Sequence, residues 1–267
     1  MNDMRDKLSN MFIKVMVGTV TREEGTMLIN HLVKDNPAEA IKEITYLIDN
    51  PPPNVFPKTI LHTIALTRSK AFFEVMVQSL DNKNEDVSIL AAEELARQRS
   101  DDARKVLVEH LMSEAYHVRK ATATALAKGF GQEGVEILKK HMHAHRETFY
   151  RTTSALGLLA IGAKGVEALL QIMLSDDSGA VCTAAEVLGK DSSKIKDEHI
   201  PKVIEALMMA GDRKDSSAII ALLKTAASLR GRVKKYEWYV AAFKDYPFNL
   251  VRNEADAAMK EIASGII

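Results

Sequence analysis

A spacing of 31 residues constrains this chain more than any other feature. Met76, Leu107, Leu138 and Leu169 fall on it. A second track runs Val75, Val106, Ile137 and Ala168, and a third runs Leu80, Leu111, Met142 and Met173. Three apolar tracks that keep one period across four units are the signature of stacked supersecondary units, not of one irregular core. Such an array fixes the architecture and leaves function to whatever its surface binds.

The period also assigns the secondary structure. In the unit from Ser100 to Lys128, Val106, Leu107, His110 and Leu111 recur at the three- and four-residue spacing of an amphipathic helix. After a short break a second helix is predicted from Val118 through Leu126. It carries Ala121, Ala123, Ala125 and Ala127, small residues that let stacked helix pairs approach closely. The second helices share a track of Ile64, Leu95, Leu126, Leu156 and Leu188, with a one-residue slip at Leu156. Gly162 and Gly165 then repeat Gly131 and Gly134 at the original period, so the slip belongs in the turns. No segment alternates with period two, and no sheet is predicted.

The organisation read from these signals has three parts: an N-terminal helical cap over 1–36, regular repeats over 37–192, and diverged repeats with a closing cap over 193–267. Thr21 and Glu24 form a capping box that opens a helix in the cap. Asn36 followed by Pro37 marks the start of the first repeat. Pro51-Pro52-Pro53 breaks that repeat between its two helices. Terminal units are expected to diverge because one face meets solvent.

Composition removes several functional classes. The 36 basic and 36 acidic residues cancel, leaving no global attraction for nucleic acid or an anionic membrane. Cys182 is the only cysteine, so an intrachain disulfide or a cysteine-based zinc site is not available. Met1-Asn2-Asp3-Met4-Arg5 lacks a following apolar run and makes a poor signal peptide. No stretch approaches the ~20 apolar residues that span a bilayer. A soluble, cytoplasmic protein is expected.

Val118-Arg119, followed by Ala121, Ala123, Ala125-Leu126-Ala127 and Gly131, resembles the second helix of HEAT repeats. It is most similar to the short HEAT-like type also found in phycobilin lyases. Ala155-Leu156-Gly157 with Ile161-Gly162, and Ala184-Ala185 with Leu188-Gly189, repeat the pattern. Ser88 departs from it by replacing the arginine after Val87, and Tyr150 or Arg151 stands in a shifted register. The resemblance implies an all-α, right-handed HEAT-like superhelix of antiparallel helix pairs. It also implies a non-catalytic scaffold that binds another protein through the concave face of its second helices. Some family members act on tetrapyrroles, and some HEAT-like proteins are DNA glycosylases. The aromatic-plus-carboxylate set of the latter is absent here, the only tryptophan being Trp238.

On the concave face the expected partner-binding residues are Glu93, Arg97, Arg119, Thr124, Lys128, Arg151, Glu186 and Lys190. Arg97, Lys128 and Lys190 share one register, with Leu159 interrupting the row. All three lie near helix C-termini, where a cation gains ~0.3–1 kcal/mol from the macrodipole. The rival functional class is a metal or tetrapyrrole accessory role. His141 and His145 sit four apart and His110 lies one repeat before His141, which makes them a speculative metal set. Against it stands the simpler reading of charged histidines at a helix end. Arg230, Arg232, Lys234 and Lys235 precede Tyr236, Trp238 and Tyr239, a mixture that can hold a nucleic-acid strand by charge and stacking. More often such a run is a solvated turn whose aromatics pack the last helix. Cys182, among small residues, reads as packing rather than as a reactive thiol. The repeated glycines lack the lysine and strand of a phosphate loop and read as turns. No catalytic residue and no cofactor are expected.

Overall fold

The computed structural model describes residues 3–67 and 69–265. Met1, Asn2, Arg68, Ile266 and Ile267 lie outside the described residues, and with them the outer ends of the expected cap, of the first repeat and of the C-terminal part. Among the described residues there are sixteen α-helices and no strand. No helix is long and apolar enough to cross a membrane. The chain divides into two compact units, Met1–Ala125 and Leu126–Ile267.

The N-terminal unit contains α1 (Asp3–Met16), α2 (Arg22–Asp35), α3 (Pro37–Asp49), α4 (Pro57–Leu66), α5 (Lys70–Leu80), α6 (Glu85–Gln98) and α7 (Asp101–Glu109). α7 runs on into a 3-10 turn over His110–Met112, and α8 (Tyr116–Gly129) follows. α1, α3 and α5 pack one against the next, and α2, α4 and α6 form a second row beside them. Two parallel rows of alternating helices are what a solenoid of antiparallel pairs requires. The local signals act where the sequence places them. Thr21 Oγ1 accepts from the Glu24 N–H at 3.2 Å, and Glu24 accepts from the Thr21 N–H at 2.8 Å. The Thr21 N–H and the Thr21 hydroxyl, both donating to the Glu24 carboxyl, hold it below the usual range. Asn36 caps α3 with Pro37 in its first turn.

The C-terminal unit contains α9 (Gly131–Ala144), α10 (Thr148–Leu159), α11 (Ala163–Met173), α12 (Ser178–Lys190), α13 (Ile200–Asp212) and α14 (Ser216–Ser228). A 3-10 segment over Arg230–Tyr236, a short α15 (Glu237–Ala241) and α16 (Asn249–Ser264) complete it. Here α9, α11 and α13 make one row, and α10, α12, α14 and α16 the other. The apolar tracks supply the core: Met76, Leu107, Leu138 and Leu169 are all buried, as are Leu80, Leu111, Met142 and Met173. The middle track is looser, since Val106 and Ile137 are only half-buried.

The glycine pairs serve two purposes rather than one. Gly131 and Gly162 have φ of +58° and +69°, the left-handed turn that L side chains avoid. Gly134 and Gly165 sit against the main-chain carbonyls of Leu126 and Leu158, where a Cβ would overlap the oxygen. They are close-packing positions inside α9 and α11, not turns. The same contacts revise the leucine track. Leu158 is fully buried and occupies the place of Leu126, whereas Leu156 is half-buried. The α10 register is therefore one residue longer than 31 rather than one shorter, and Ala160, not Leu159, fills the gap in the basic row.

Candidate functional site

An open groove of about 850 Å³ lies in the N-terminal unit, along the row α2, α4 and α6 and the end of α1. Its apolar lining comes from Val15, Met16, Phe56, Ile89 and Leu90. Phe56 is 62% exposed and lies in the groove beside half-buried Ile89 and Leu90, so the apolar surface there is grouped rather than scattered. It stands at the end of the turn begun by Pro51-Pro52-Pro53, whose prolines prevent α3 and α4 from joining closely. Two of the sequence-expected partner residues, Glu93 and Arg97, line this groove.

Charge is distributed unevenly across it. Arg22 opens α2 and Lys58 opens α4; both are exposed and form no ion pair among the described residues. Asp86 and Glu93 belong to α6 and carry the opposite sign. Glu94 is buried, and its Oε1 accepts from Arg97 and from His62 Nδ1 at 2.9 Å. Arg97 Nη1 also faces His62 Nδ1 at 3.2 Å. Arg97 is thus tied into a compensated cluster at the groove wall, more than a helix-end cation.

The remaining expected residues separate by burial. Lys128, Glu186 and Lys190 are exposed and Thr124 is half-buried. Arg119 and Arg151 are buried; Arg119 commits its guanidinium to the turn of its own repeat, and Arg151 to its own turn and to Asp177 at the start of α12. Each is the fourth residue of a second helix, and so is Arg252 in α16. Arg119 Nη1 donates to Ser113 O at 2.7 Å and to Glu114 O at 2.8 Å. Arg252 Nη1 donates to Tyr246 O and Pro247 O at 2.8 and 2.9 Å. Arg151 Nε donates to His145 O, while its other end meets Asp177 at 3.2 Å. The buried arginine supplies donors to turn carbonyls that have no helical partner, which satisfies an otherwise costly desolvation. Gly179 leaves the room that the Arg151 guanidinium fills. Burial works to raise the Asp177 pKa, but the Ala180 N–H, His143 and Arg151 outweigh it and hold the carboxyl below its ordinary value.

Where the fourth residue is apolar, as with Val181 and Ile219, an aspartate caps the helix instead. Asp177 accepts from the Ala180 N–H at 3.0 Å and Asp215 from the Ala218 N–H at 3.1 Å. Ser88 is the intermediate case. Its Oγ donates to Asn82 O at 3.0 Å, and His117 Nε2 reaches the same oxygen at 3.1 Å.

The speculative metal set does not assemble. Among the described residues no group of three or more His, Cys, Asp or Glu is arranged to hold a metal ion. His110, in the N-terminal unit, donates from Nδ1 to Val106 O at 2.8 Å and faces Asp81. His141 and His145 do meet, with ring centroids 4.2 Å apart, although α9 ends at Ala144 and His145 is extended. Burial, with a contribution from His145, pushes the His141 pKa down to about 4. It is a neutral side chain bonded to Ser154 Oγ at 2.9 Å, not the charged helix-end histidine that the simpler reading expects.

At the C-terminal end the basic run forms ion pairs of its own: Arg232 with Asp197 at 2.8 Å and Lys234 with Glu237. Trp238 is 61% exposed and stacks on Tyr239, so it does not pack the last helix as expected, whereas Phe243 is buried with its ring against Gly211 of α13. Burial raises the Cys182 thiol to about 11, which removes thiolate chemistry near neutral pH.

With this geometry in view, the chain can be set beside known proteins. Residues 73–159 match the family model of HEAT repeats. The matched HEAT repeats run from within α5 to the end of α10 and include the Ser88, Arg119 and Arg151 turns. No curated protein matches the chain. Among solved structures, an engineered protein from a structural genomics consortium is 23% identical, covering 73% of this chain and 97% of its own, with a TM-score of 0.39. Human deoxyhypusine hydroxylase in complex with glycerol is 13% identical over 98% of this chain and 97% of its own, with a TM-score of 0.39. A designed armadillo repeat protein is 16% identical over 70% of this chain and 98% of its own, with a TM-score of 0.33.

Proposed function

We propose that this chain is a non-catalytic scaffold that binds another protein along the faces of its second helices. The supporting observation is the groove on α2, α4 and α6, where exposed Phe56 and half-buried Ile89 and Leu90 lie among charged side chains. An apolar centre with a charged rim is the composition of a protein-recognition surface. HEAT repeats commonly serve that role, and within each unit the stacked second helices offer a face for it. Within the reading, Glu93, Arg97, Thr124, Lys128, Glu186 and Lys190 are contact residues. Arg119 and Arg151 act indirectly, by fixing the turns from which those helices start. The division into a cap, regular repeats over 37–192 and a diverged end belongs to the same proposal. So does a cytoplasmic location, which the single cysteine suits.

The test is a pull-down from the source lysate with wild type and with the combined variant Arg97→Glu, Lys128→Glu and Lys190→Glu. Loss of specific partners while far-ultraviolet circular dichroism shows the helices kept supports the reading, a lower thermal stability being expected because Arg97 engages buried Glu94. Unchanged recovery overturns the basic row. Visible-range absorbance or bound metal in the purified protein would replace it with the tetrapyrrole or metal role. A salt-dependent mobility shift with single-stranded nucleic acid would replace it with the nucleic-acid role.

A further inference from the structure

We infer that the groove of the N-terminal unit takes a peptide segment with a fixed charge polarity: an apolar centre, acidic residues on one flank and basic residues on the other. The inference rests on the scaffold reading and specifies the chemistry of the partner.

It follows from the order of the helices. α4 packs between α2 and α6, so the three helices form a strip with α2 at one side and α6 at the other. On the α2 and α4 side, the unpaired charges are Arg22 and Lys58. On the α6 side they are Asp86 and Glu93. Arg97 also stands on α6, but Glu94 and His62 engage it, so it does not reverse that side's sign. Phe56, Ile89 and Leu90 lie with Met16 in the same lining. A ligand that buries its apolar side chains there brings its flanks against opposite charges. The matching pattern is rewarded, and the reversed pattern meets like charge on both sides. Residues aligned along single helices would give no such polarity; here the two signs lie on different helices.

The volume suits a short segment rather than a folded domain. At about 850 Å³ the groove is within the size range of pockets that enclose compact ligands. A few apolar side chains and their backbone fill it, and Phe56 is placed to pack against them. A second copy of this chain is the competing occupant, because a surface with both signs can pair with itself.

The experiment selects a random peptide display library on the full chain, with counter-selection on Phe56→Asp. Selected peptides are then measured against wild type, Lys58→Glu with Arg22→Glu, and Asp86→Lys with Glu93→Lys. Four of the five positions are exposed and Glu93 is half-buried, and far-ultraviolet circular dichroism checks that the variants keep their helices. The expected result is peptides with an apolar centre and one acidic and one basic flank. Their affinity falls more than tenfold on either double reversal and returns when the facing flank of the peptide is reversed as well. Peptides that ignore Phe56, or that bind without flank polarity, overturn the inference. So does dimerisation in sedimentation equilibrium that Phe56→Asp abolishes. If lysate partners survive the groove variants yet are lost with the Arg97, Lys128 and Lys190 reversal, the groove inference fails while the scaffold reading stands.

Discussion

In the α9–α10 pair, a buried arginine binds the turn. Arg151 gives its Nε to His145 O and its far end to Asp177, and Gly179 leaves space for it. In the α5–α6 pair, the same helix position holds Ser88, and Asn82 O is shared between a hydroxyl and the His117 ring. The first solution locks a turn from within its own repeat and the next helix. The second uses a small side chain and help from the following turn. The groove is lined by the helix that Ser88 opens: Asp86, Ile89, Leu90 and Glu93 all come from α6. A repeat array can thus keep one backbone plan while varying how each turn is tied, and the helix that follows the serine-tied turn, α6, is the one that lines the groove together with α2 and α4.

The largest expected effect comes from the glycine nested most closely against main-chain atoms. In Gly165→Ala the new methyl overlaps Leu158 O, a main-chain atom that cannot rotate away. A loss of about 3 kcal/mol is expected from overpacking of this kind. Gly18→Ala provides the contrast in the N-terminal unit. It meets no atom within 4 Å, so only its φ of +78° opposes it, at about 1 kcal/mol. Urea denaturation of both variants measures the difference. Equal losses would mean that close packing does not distinguish these regions.

The next effect is a pH dependence that His141 gives the C-terminal unit. His141 takes a proton at about pH 4 when folded, against an ordinary value of 6.5. Above that ordinary value both folded and unfolded forms are neutral and the group contributes nothing to the pH dependence. As pH falls from about 6.5 to about 4, the unfolded chain binds a proton that the folded chain refuses. Stability therefore drops across this window, by at most about 3 kcal/mol, and levels off below it. His141→Gln keeps a polar partner for Ser154 and removes the titration. Its stability difference between pH 7 and pH 4.5 should be smaller than that of wild type by most of this amount. An identical difference would show that the imidazole is not held neutral.

Smaller again is the direct comparison of the two turns. Arg151→Ala leaves His145 O and Asp177 without their buried donor, and about 2 kcal/mol is expected from stranding such groups. Ser88→Ala leaves His117 on Asn82 O, and about 1 kcal/mol is expected because one donor remains. The ratio of the two, read from denaturant midpoints, tests whether the serine turn is the more weakly tied.

These turns also show what the residues disclosed and what they withheld. The 31-residue tracks revealed the helix pairs, and Thr21-Glu24 and Asn36-Pro37 revealed their starts, because periodic burial and capping are local properties. The register of α10 was harder. Leu156, Leu158 and Leu159 are close alternatives in one apolar run, and what decides among them is the packing of Gly165 against Leu158 O together with the contact of Arg151 with His145 O. Arg119 and Arg151 looked like surface cations because a sequence shows charge but not the turn carbonyls that absorb it. Their shared place as fourth residue after a turn, repeated at Arg252, was the available signal. Glu93 and Arg97 were found from their register. Phe56, Arg22 and Lys58 were not, because Arg22 belongs to the cap and Phe56 and Lys58 stand beside a proline-rich turn, and none of the three falls on a periodic track.

The smallest stability effect decides whether the groove charges exist for the fold at all. Lys58 is exposed at the start of α4, forms no ion pair among the described residues, and stands near a helix N-terminus, where a cation is unfavourable. Lys58→Glu should therefore change stability by less than about 0.5 kcal/mol, and in the stabilising direction, since an acidic residue there complements the dipole. Arg151→Glu, by contrast, places a carboxylate against Asp177 in a buried site and should be strongly destabilising. Thermal unfolding of the two variants separates a charge retained for recognition from a charge retained for structure. If Lys58→Glu cost as much as Arg151→Glu, the rim of the groove would be part of the fold, and its charge polarity would no longer point to a ligand.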